Sequence, residues 1–320
     1  MIELDLQEAL PAPELINELH HIFSSKLYPV IPIIQEYRYH KSLTRALLAR
    51  PPICLRYLEA SEMKGEGLMT IYHAQSWCLI AMPESKNARF PQSWLSVGRA
   101  NLPVSELSFR FGIVEETKPF TEAFSPRGLG QISSFYTLLL ATKLYGHNHE
   151  HLNINTPKEC VGNFENGEFW KRHRRLDNAL LKTFFYLPDS LRLPHGIDDM
   201  NTAFVHMSIH TSSINLHQGA IAAPTKHGIN SDIIRHSQVR TRTAAQEIIN
   251  IMHQIDNVDV ALLNSWTGLC LYVAASVLIK DQQSEETFRQ GLGYLNYLLP
   301  AMQRIGQRYK ITEHFYGQTR

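Results

Sequence analysis

The chain has 320 residues, of which 44% are hydrophobic and 19% are charged, and its formal net charge is +1. This length and apolar content suffice for one large core or two smaller ones. The balanced charge gives no long-range field that attracts nucleic acid or an acidic membrane, and a free-standing DNA-binding domain normally shows a basic excess. No run approaches the roughly 20 apolar residues that span a bilayer, so we expect no membrane partner.

The first part of the chain shows apolar residues at helical spacing between proline-marked breaks. Pro13 opens the first predicted helix, which runs to Tyr28. The stretch from Asn101 to Gly130 is polar and without a sustained period, which predicts a loop at 101–130. Between these two segments the pattern predicts further helices at 37–49, 53–63, 68–82 and 94–100.

The second part contains the longest helical patterns. A helix is predicted at 131–145, followed by a second loop at 146–167, where Asn, Pro and Gly recur. An amphipathic basic helix at 169–186 and a long apolar helix at 200–223 meet across a proline-marked corner, because proline disfavours helical geometry before it. The apolar helix has small or apolar residues nearly all round, which is typical of a buried core helix. The last predicted helices lie at 231–254, 262–280 and 284–309.

No β alternation accompanies these patterns, and no internal repeat of fixed period occurs. The sequence therefore predicts an all-α fold, an irregular multi-helix domain of about ten helices with long loops. We expect a single domain over 1–320.

The four cysteines, Cys54, Cys78, Cys160 and Cys270, show neither C-x-x-C spacing nor a paired histidine at zinc-finger spacing. Each stands singly among apolar residues, which is typical of buried free thiols in a reducing compartment. We therefore expect no metal and no cofactor in this chain.

Two groups of histidines are candidate metal ligands. His206, His210 and His217 share one face of a helix at spacings of four and seven. No glutamate follows His206 in the H-E-x-x-H manner, so the metalloprotease arrangement is missing, and packed histidines more often bond backbone or hydroxyl groups. The second group, His147–His151, lies in the predicted loop after a helix. This position favours the interpretation that these are surface histidines and not a metal site.

A basic run, Lys171, Arg172, His173, Arg174 and Arg175, opens the helix at 169–186. Nuclear import or contact with phosphate are two interpretations of such a run. The interpretation we favour is a solvated helix face, with Trp170, Leu176 and Leu180 turned inward.

Three ungapped pieces, GEFWKRHRRLD (167–177), LPDSLRLPHG (187–196) and NTAFVHMSIHTSSINLHQGAI (201–221), resemble a known family. They are similar to the regulatory, or middle homology, region of fungal zinc binuclear cluster transcription factors of the xylanolytic-activator type. Further pieces in the family's order extend the resemblance over almost the whole chain: LPAPEL (10–15), YLEASEMK (57–64), TIYHAQSWCL (70–79), FPQSWLSVGRA (90–100), NLPVSELSF (101–109), LCLYVAASV (269–277) and LLPAM (298–302).

Two departures from the family pattern stand out. The six-cysteine zinc cluster cannot be drawn from four scattered cysteines, and the block that the family places between the pieces ending at Ala100 and starting at Asn101 is missing. The resemblance implies a nuclear regulatory domain that controls transcription and is not an enzyme. DNA and zinc binding would belong to the family's separate cluster.

Other partners and functions stay open from sequence alone. A homodimer, a co-regulator or a small-molecule inducer are the further partners that such a domain implies. One alternative is an interaction or dimerisation module that does not bind DNA, and another is a helical metal-dependent enzyme that uses His206, His210 and His217.

Overall fold

The computed structural model describes residues 13–22, 24–25, 134–154, 160–225, 231–280 and 285–319. All regular elements in these ranges are helical and none is a strand, which confirms the all-α prediction. Two short 3-10 helices, Asp189–Leu191 and Val260–Leu262, lie in connections. The α-helices are α1 (Pro13–Ile22), α2 (Ser134–Asn153), α3 (Glu168–Phe185), α4 (Met200–Thr225), α5 (Ser231–Gln254), α6 (Thr267–Lys280), α7 (Glu285–Gly306) and α8 (Lys310–Thr319).

These helices belong to two compact units, the first containing α1 and the second containing α2 to α8. The second unit thus has seven α-helices in its described part, and the described total is below the ten or so predicted for the whole chain. The prediction of a single domain over 1–320 stays a prediction. The following predicted features lie outside the described residues: the helices at 37–49, 53–63, 68–82 and 94–100, the loop at 101–130, and the missing block after Ala100.

Helix α4 is the centre of the second unit. It packs against α2, α3, α5 and α6, and its side chains Met207, Ile214, Leu216 and Ala220 are fully buried. The prediction of a buried core helix is therefore confirmed, and the helix ends two residues later than predicted. Each large apolar side chain buried in this way stabilises the fold by about 1.5–3 kcal/mol.

The proline-marked corner positions the start of α4. Leu187 and Leu191 are buried beneath the corner, while the Asp199 carboxylate accepts a hydrogen bond of 2.8 Å from the Asn201 backbone N–H. A carboxylate in this place satisfies a donor that the helix leaves unpaired at its first turn. The corner therefore fixes both where α4 begins and how it enters the core.

The loop predicted at 146–167 is wrong over its first part, because α2 continues through His147–His151 to Asn153. The buried face of α2 keeps helical spacing across this stretch, with Leu144 followed by Asn148 and His151. Asn148 donates to the Ser212 carbonyl of α4 at 2.9 Å. The face that holds the helix to α4 thus changes from apolar to polar, which the search for apolar periodicity did not detect.

The helix boundaries in the last third were predicted with unequal success. The bounds of α5 are those predicted. The helix predicted at 262–280 begins only at Thr267. The chain before it forms a 3-10 helix that ends at Leu262 and a turn in which the Asn264 side chain accepts from the Trp266 N–H at 3.0 Å.

The helix predicted at 284–309 corresponds to α7, which begins one residue later and ends three residues earlier, and a further helix that was not predicted, α8, follows it. Between them lies Tyr309, which is buried and whose hydroxyl is 3.2 Å from both the Val260 and the Leu263 carbonyls. This anchor stops the chain from continuing α7 in a straight line, although α7 itself runs through Pro300.

Of the two cysteines that the structure describes, Cys270 is buried as predicted, whereas Cys160 is exposed in the connection after α2. Burial raises the pKa of the Cys270 thiol to about 12. None of the described helices has the length and apolar content needed to cross a bilayer.

A pair of glycine substitutions tests the connection before α3. A Cβ at Gly167 would collide with the Cys160 carbonyl and lie 2.5 Å from the Asn163 carbonyl, whereas a Cβ at Gly146 in α2 meets nothing. We expect Gly167→Ala to lower the free energy of unfolding by about 1–3 kcal/mol, as overpacking does. The control Gly146→Ala should raise it by up to about 1 kcal/mol. Denaturant melts measure both, and a neutral Gly167→Ala would show that the connection is not close-packed.

Candidate functional site

Trp170 anchors the start of α3. Its side chain is buried, and its indole N–H donates to the Val161 carbonyl at 2.7 Å. The rings of Phe164 and Phe169 pack edge-on against it at centroid distances of 4.9 and 5.0 Å. Buried indoles usually satisfy their N–H in this way. The anchor sets the rotation of α3 and thereby turns His173 and Asp177 toward α4 and α5.

Asp177 belongs to a polar network that joins three helices. Its Oδ1 accepts from Arg240 Nη2 of α5 at 2.7 Å, and Arg240 Nε lies 3.3 Å from His217 Nε2 of α4. His217 Nδ1 is 3.3 Å from the hydroxyl of Ser237 on α5. His217 is buried, while the side chains of Asp177 and Arg240 are 22% and 31% exposed. These four residues are called the α3–α5 network below.

Arg240 fixes the hydrogen-bonding roles within the network. A guanidinium only donates and stays charged in proteins, so His217 Nε2 accepts from it. In a neutral imidazole the other nitrogen then carries the proton, so Nδ1 donates to Ser237. His217 Nε2 also lies 3.5 Å from Asp177 Oδ1. His217 Nε2 and Asp177 Oδ1 are therefore two acceptors that face each other, and the guanidinium of Arg240 donates to both of them.

A row of histidine rings extends the network toward α2. The His173 ring lies 5.4 Å from that of His217 and 6.0 Å from that of His151, measured between centroids. All three side chains are buried. Arg172 Nε donates to His151 Nδ1 at 3.1 Å. The row thus links α2, α3 and α4 through imidazoles held close together.

Burial, together with the smaller effects of the neighbouring His217 and His151, lowers the pKa of His173 to about 3. Burial alone raises the pKa of Asp177, but the interactions around its carboxylate, the positive charge of Arg240 among them, outweigh that effect, so its pKa lies below the usual value. Near neutral pH the row therefore contains a neutral His173 beside an ionised Asp177.

The three histidines predicted to share one face do not converge on one point. His206 Nε2 bonds the Leu191 carbonyl at 2.8 Å, and the rings of His206 and His210 pack against Phe184. His217 belongs to the α3–α5 network instead. Among the described residues no three His, Cys, Asp or Glu side chains are grouped to hold a metal ion.

The basic run at the start of α3 has mixed surroundings. Lys171 pairs with Glu168 on the surface at 2.9 Å, and Arg175 is exposed. Arg174 donates to the Phe164 and Glu165 carbonyls at 2.9 and 2.7 Å, so it ties α3 to the preceding connection. Arg172 is partly buried against His151. Arg172 and Arg174 therefore bond groups outside α3, whereas Lys171 and Arg175 lie on the exposed face of the helix. Phosphate contact and nuclear import stay alternative interpretations of the run.

Sequence reasoning missed the partners that the α3–α5 network depends on. Asp177 follows His173 at a spacing of four, which places both on one helix face, and this was the available signal. Nothing local indicates Arg240 or Ser237, because they lie 63 and 20 residues from their partners Asp177 and His217.

Comparison with known proteins gives a distant relative. The chain is 22% identical over 206 residues to the pigment biosynthesis transcriptional activator pigB of Monascus ruber, a match that covers 64% of this chain. The match spans 37% of the length of that protein. No family model matches the sequence, and no solved structure matches the chain.

The buried histidines predict acid sensitivity. An unfolded histidine takes up its proton near pH 6.5, whereas burial lowers the pKa of His173 to about 3 and that of His210 to about 4, and also lowers that of His206. The unfolded state thus binds more protons between pH 6.5 and 4. Each of these histidines should therefore lower the free energy of unfolding by up to about 1.4 kcal/mol per pH unit as the pH falls.

Denaturant melts at several pH values measure this slope. We expect His173→Gln to flatten it by about one histidine's share, roughly 1.4 kcal/mol per pH unit. The matched control His149→Gln, an exposed position on α2, should leave it unchanged. Equal slopes in both variants would mean that His173 is not held neutral by the fold.

Proposed function

We propose that this chain is a regulatory region of a fungal transcriptional activator and acts in the nucleus by controlling transcription rather than by catalysis. The observation that carries the proposal is the match over 206 residues to a fungal transcriptional activator. The resemblance of three ungapped pieces to the regulatory region of zinc binuclear cluster factors supports the same assignment.

The structure supports the proposal through the placement of those three pieces. The first supplies Gly167, Trp170 and Asp177, which seat α3. The second forms the corner whose Leu191 carbonyl binds His206. The third is most of α4, the central helix. The shared residues thus build the helical framework, which is where a common fold constrains sequence most strongly.

DNA contact and zinc binding are assigned, in this proposal, to a zinc cluster outside this chain. A homodimer, a co-regulator or a small-molecule inducer are the partners that the regulatory region would recognise. A helical domain with two arrangements of its helices can couple such a partner to transcription by shifting the population between them.

Tethering tests the regulatory role directly. Residues 1–320 are fused to the DNA-binding domain of a bacterial repressor and expressed in a fungal cell with a reporter behind the repressor's operator. We expect reporter transcription to change several-fold relative to the DNA-binding domain alone. Unchanged transcription from a fusion that is present in the nucleus and bound to the operator would contradict the proposal.

Two tryptophan variants of the fusion provide a matched control. Trp170 is buried at the start of α3, whereas Trp266 is 38% exposed. Trp170→Ala should abolish the effect, because truncating a buried aromatic costs about 3–5 kcal/mol of the roughly 5–15 kcal/mol that stabilise a domain. Trp266→Ala should retain it. If both variants retain the full effect, the folded helices are not what acts on transcription.

DNA binding by the isolated chain is a separate expectation. With a net charge of +1, we expect only weak binding to duplex DNA that falls steeply as salt is raised. Titration of labelled duplexes at two salt concentrations measures this. Nanomolar, salt-resistant binding to one defined sequence would contradict the assignment of DNA contact to another part of the protein.

A further inference from the structure

The α3–α5 network offers His217 two incompatible arrangements. With Nε2 unprotonated, His217 accepts from Arg240 Nε at 3.3 Å, and Arg240 Nη2 holds Asp177 at 2.7 Å. Asp177 Oδ1 lies 3.5 Å from the same Nε2. A proton on Nε2 turns this atom from an acceptor into a donor. It then opposes the Arg240 donor and faces the Asp177 carboxylate directly.

The consequences differ between the two helix contacts. A protonated His217 strengthens the contact between α4 and Asp177 of α3, since a charge-assisted hydrogen bond replaces two facing acceptors. The same proton places two cations side by side, so Arg240 loses His217 as an acceptor, and the repulsion between the cations then separates Arg240 from Asp177. The Arg240 side chain is already 31% exposed, which gives it a short path into water. The contact of α5 with α3 and α4 is therefore the one that weakens.

Several charged or titratable groups surround His217, and among those named here Asp177 is the carboxylate. From α3 the ring of His173 faces it, and behind that ring lies His151 of α2. From α5 come Arg240, Ser237 and the ring of His236, 6.2 Å away between centroids. On α4 itself lies His210, whose pKa is lowered mainly by burial and, to a smaller extent, by the charge of Arg240. Burial holds the pKa of His173 at about 3 and that of His210 at about 4, so both stay neutral as the pH falls to 5.5.

We propose that Asp177, His217 and Arg240 form a proton-sensitive latch, in which a proton on His217 transfers Asp177 from Arg240 of α5 to His217 of α4 and loosens the first half of α5. This proposal concerns the fold and does not depend on the assignment to transcription. Its chemistry is the uptake of one solvent proton at Nε2, with no other reactant.

The tautomer of His217 is the first test, made on the full chain with ¹⁵N-labelled histidine. At pH 7.5 the long-range ¹H–¹⁵N spectrum should show the proton on Nδ1. A proton on Nε2 at that pH would overturn the proposal, because Arg240 could not then donate to this atom. The measurement uses the native sequence and therefore does not depend on a variant that folds.

Hydrogen exchange is the second test, read as protection factors so that the intrinsic pH dependence of exchange cancels. Between pH 7.5 and pH 5.5, protection over 231–245 of α5 should fall about tenfold relative to α6, which is the scale of one charge-assisted hydrogen bond. The comparison with α6 removes any general loss of stability at lower pH. Equal changes in α5 and α6 would overturn the latch.

Three substitutions complete the test. Arg240→Met should leave α5 poorly protected at both pH values, and Asp177→Asn should remove the pH response. His236→Gln, a change at the exposed neighbour on α5, should keep the native response. A native response in Arg240→Met, or its loss in His236→Gln, would place the sensitive group elsewhere.

Discussion

Helix α4 is enclosed by four other helices, so water is kept from most of its surface, and several polar groups on it bond to partners inside the protein. An unpaired buried donor or acceptor costs about 1–3 kcal/mol, a large part of a domain's stability. The Thr211 hydroxyl donates a hydrogen bond to the Met207 carbonyl within the helix. His206 and His217 reach outward instead, the first to the Leu191 carbonyl of the corner and the second to Ser237 and Arg240. These bonds fix the rotation of α4 against its neighbours.

The residues that carry the family resemblance gain a physical meaning from this constraint. Gly196 illustrates the point, because a Cβ there would lie 2.6 Å from the Ser190 carbonyl and 2.9 Å from a Thr202 methyl group. The corner can therefore close against the start of α4 only without a side chain. Trp170 and Arg174 fix the other end of α3 to the connection before it. Motif residues of this kind act as ties between helices.

Apolar periodicity sufficed to predict the bounds of α5 and the buried state of α4, because both follow from local spacing. It failed where polar residues occupy a buried face, as Asn148 and His151 do at the end of α2. It also missed the start of α8, which depends on Tyr309 reaching carbonyls more than 40 residues earlier. The α3–α5 network was out of reach for the same reason, since the pairing of Asp177 with Arg240 is a product of the assembled helices.

The central claim is that Arg240 ties α3 and α4 to α5 through Asp177 and His217. A double-mutant cycle with Asp177→Asn and Arg240→Met, measured by denaturant melts at pH 7.5, tests it most directly, because the cycle isolates the energy shared by the pair. The account predicts a coupling of about 1 kcal/mol or more, above the error of such cycles. Free energies that add to within about 0.3 kcal/mol would show that the two side chains do not depend on each other, and would contradict the account.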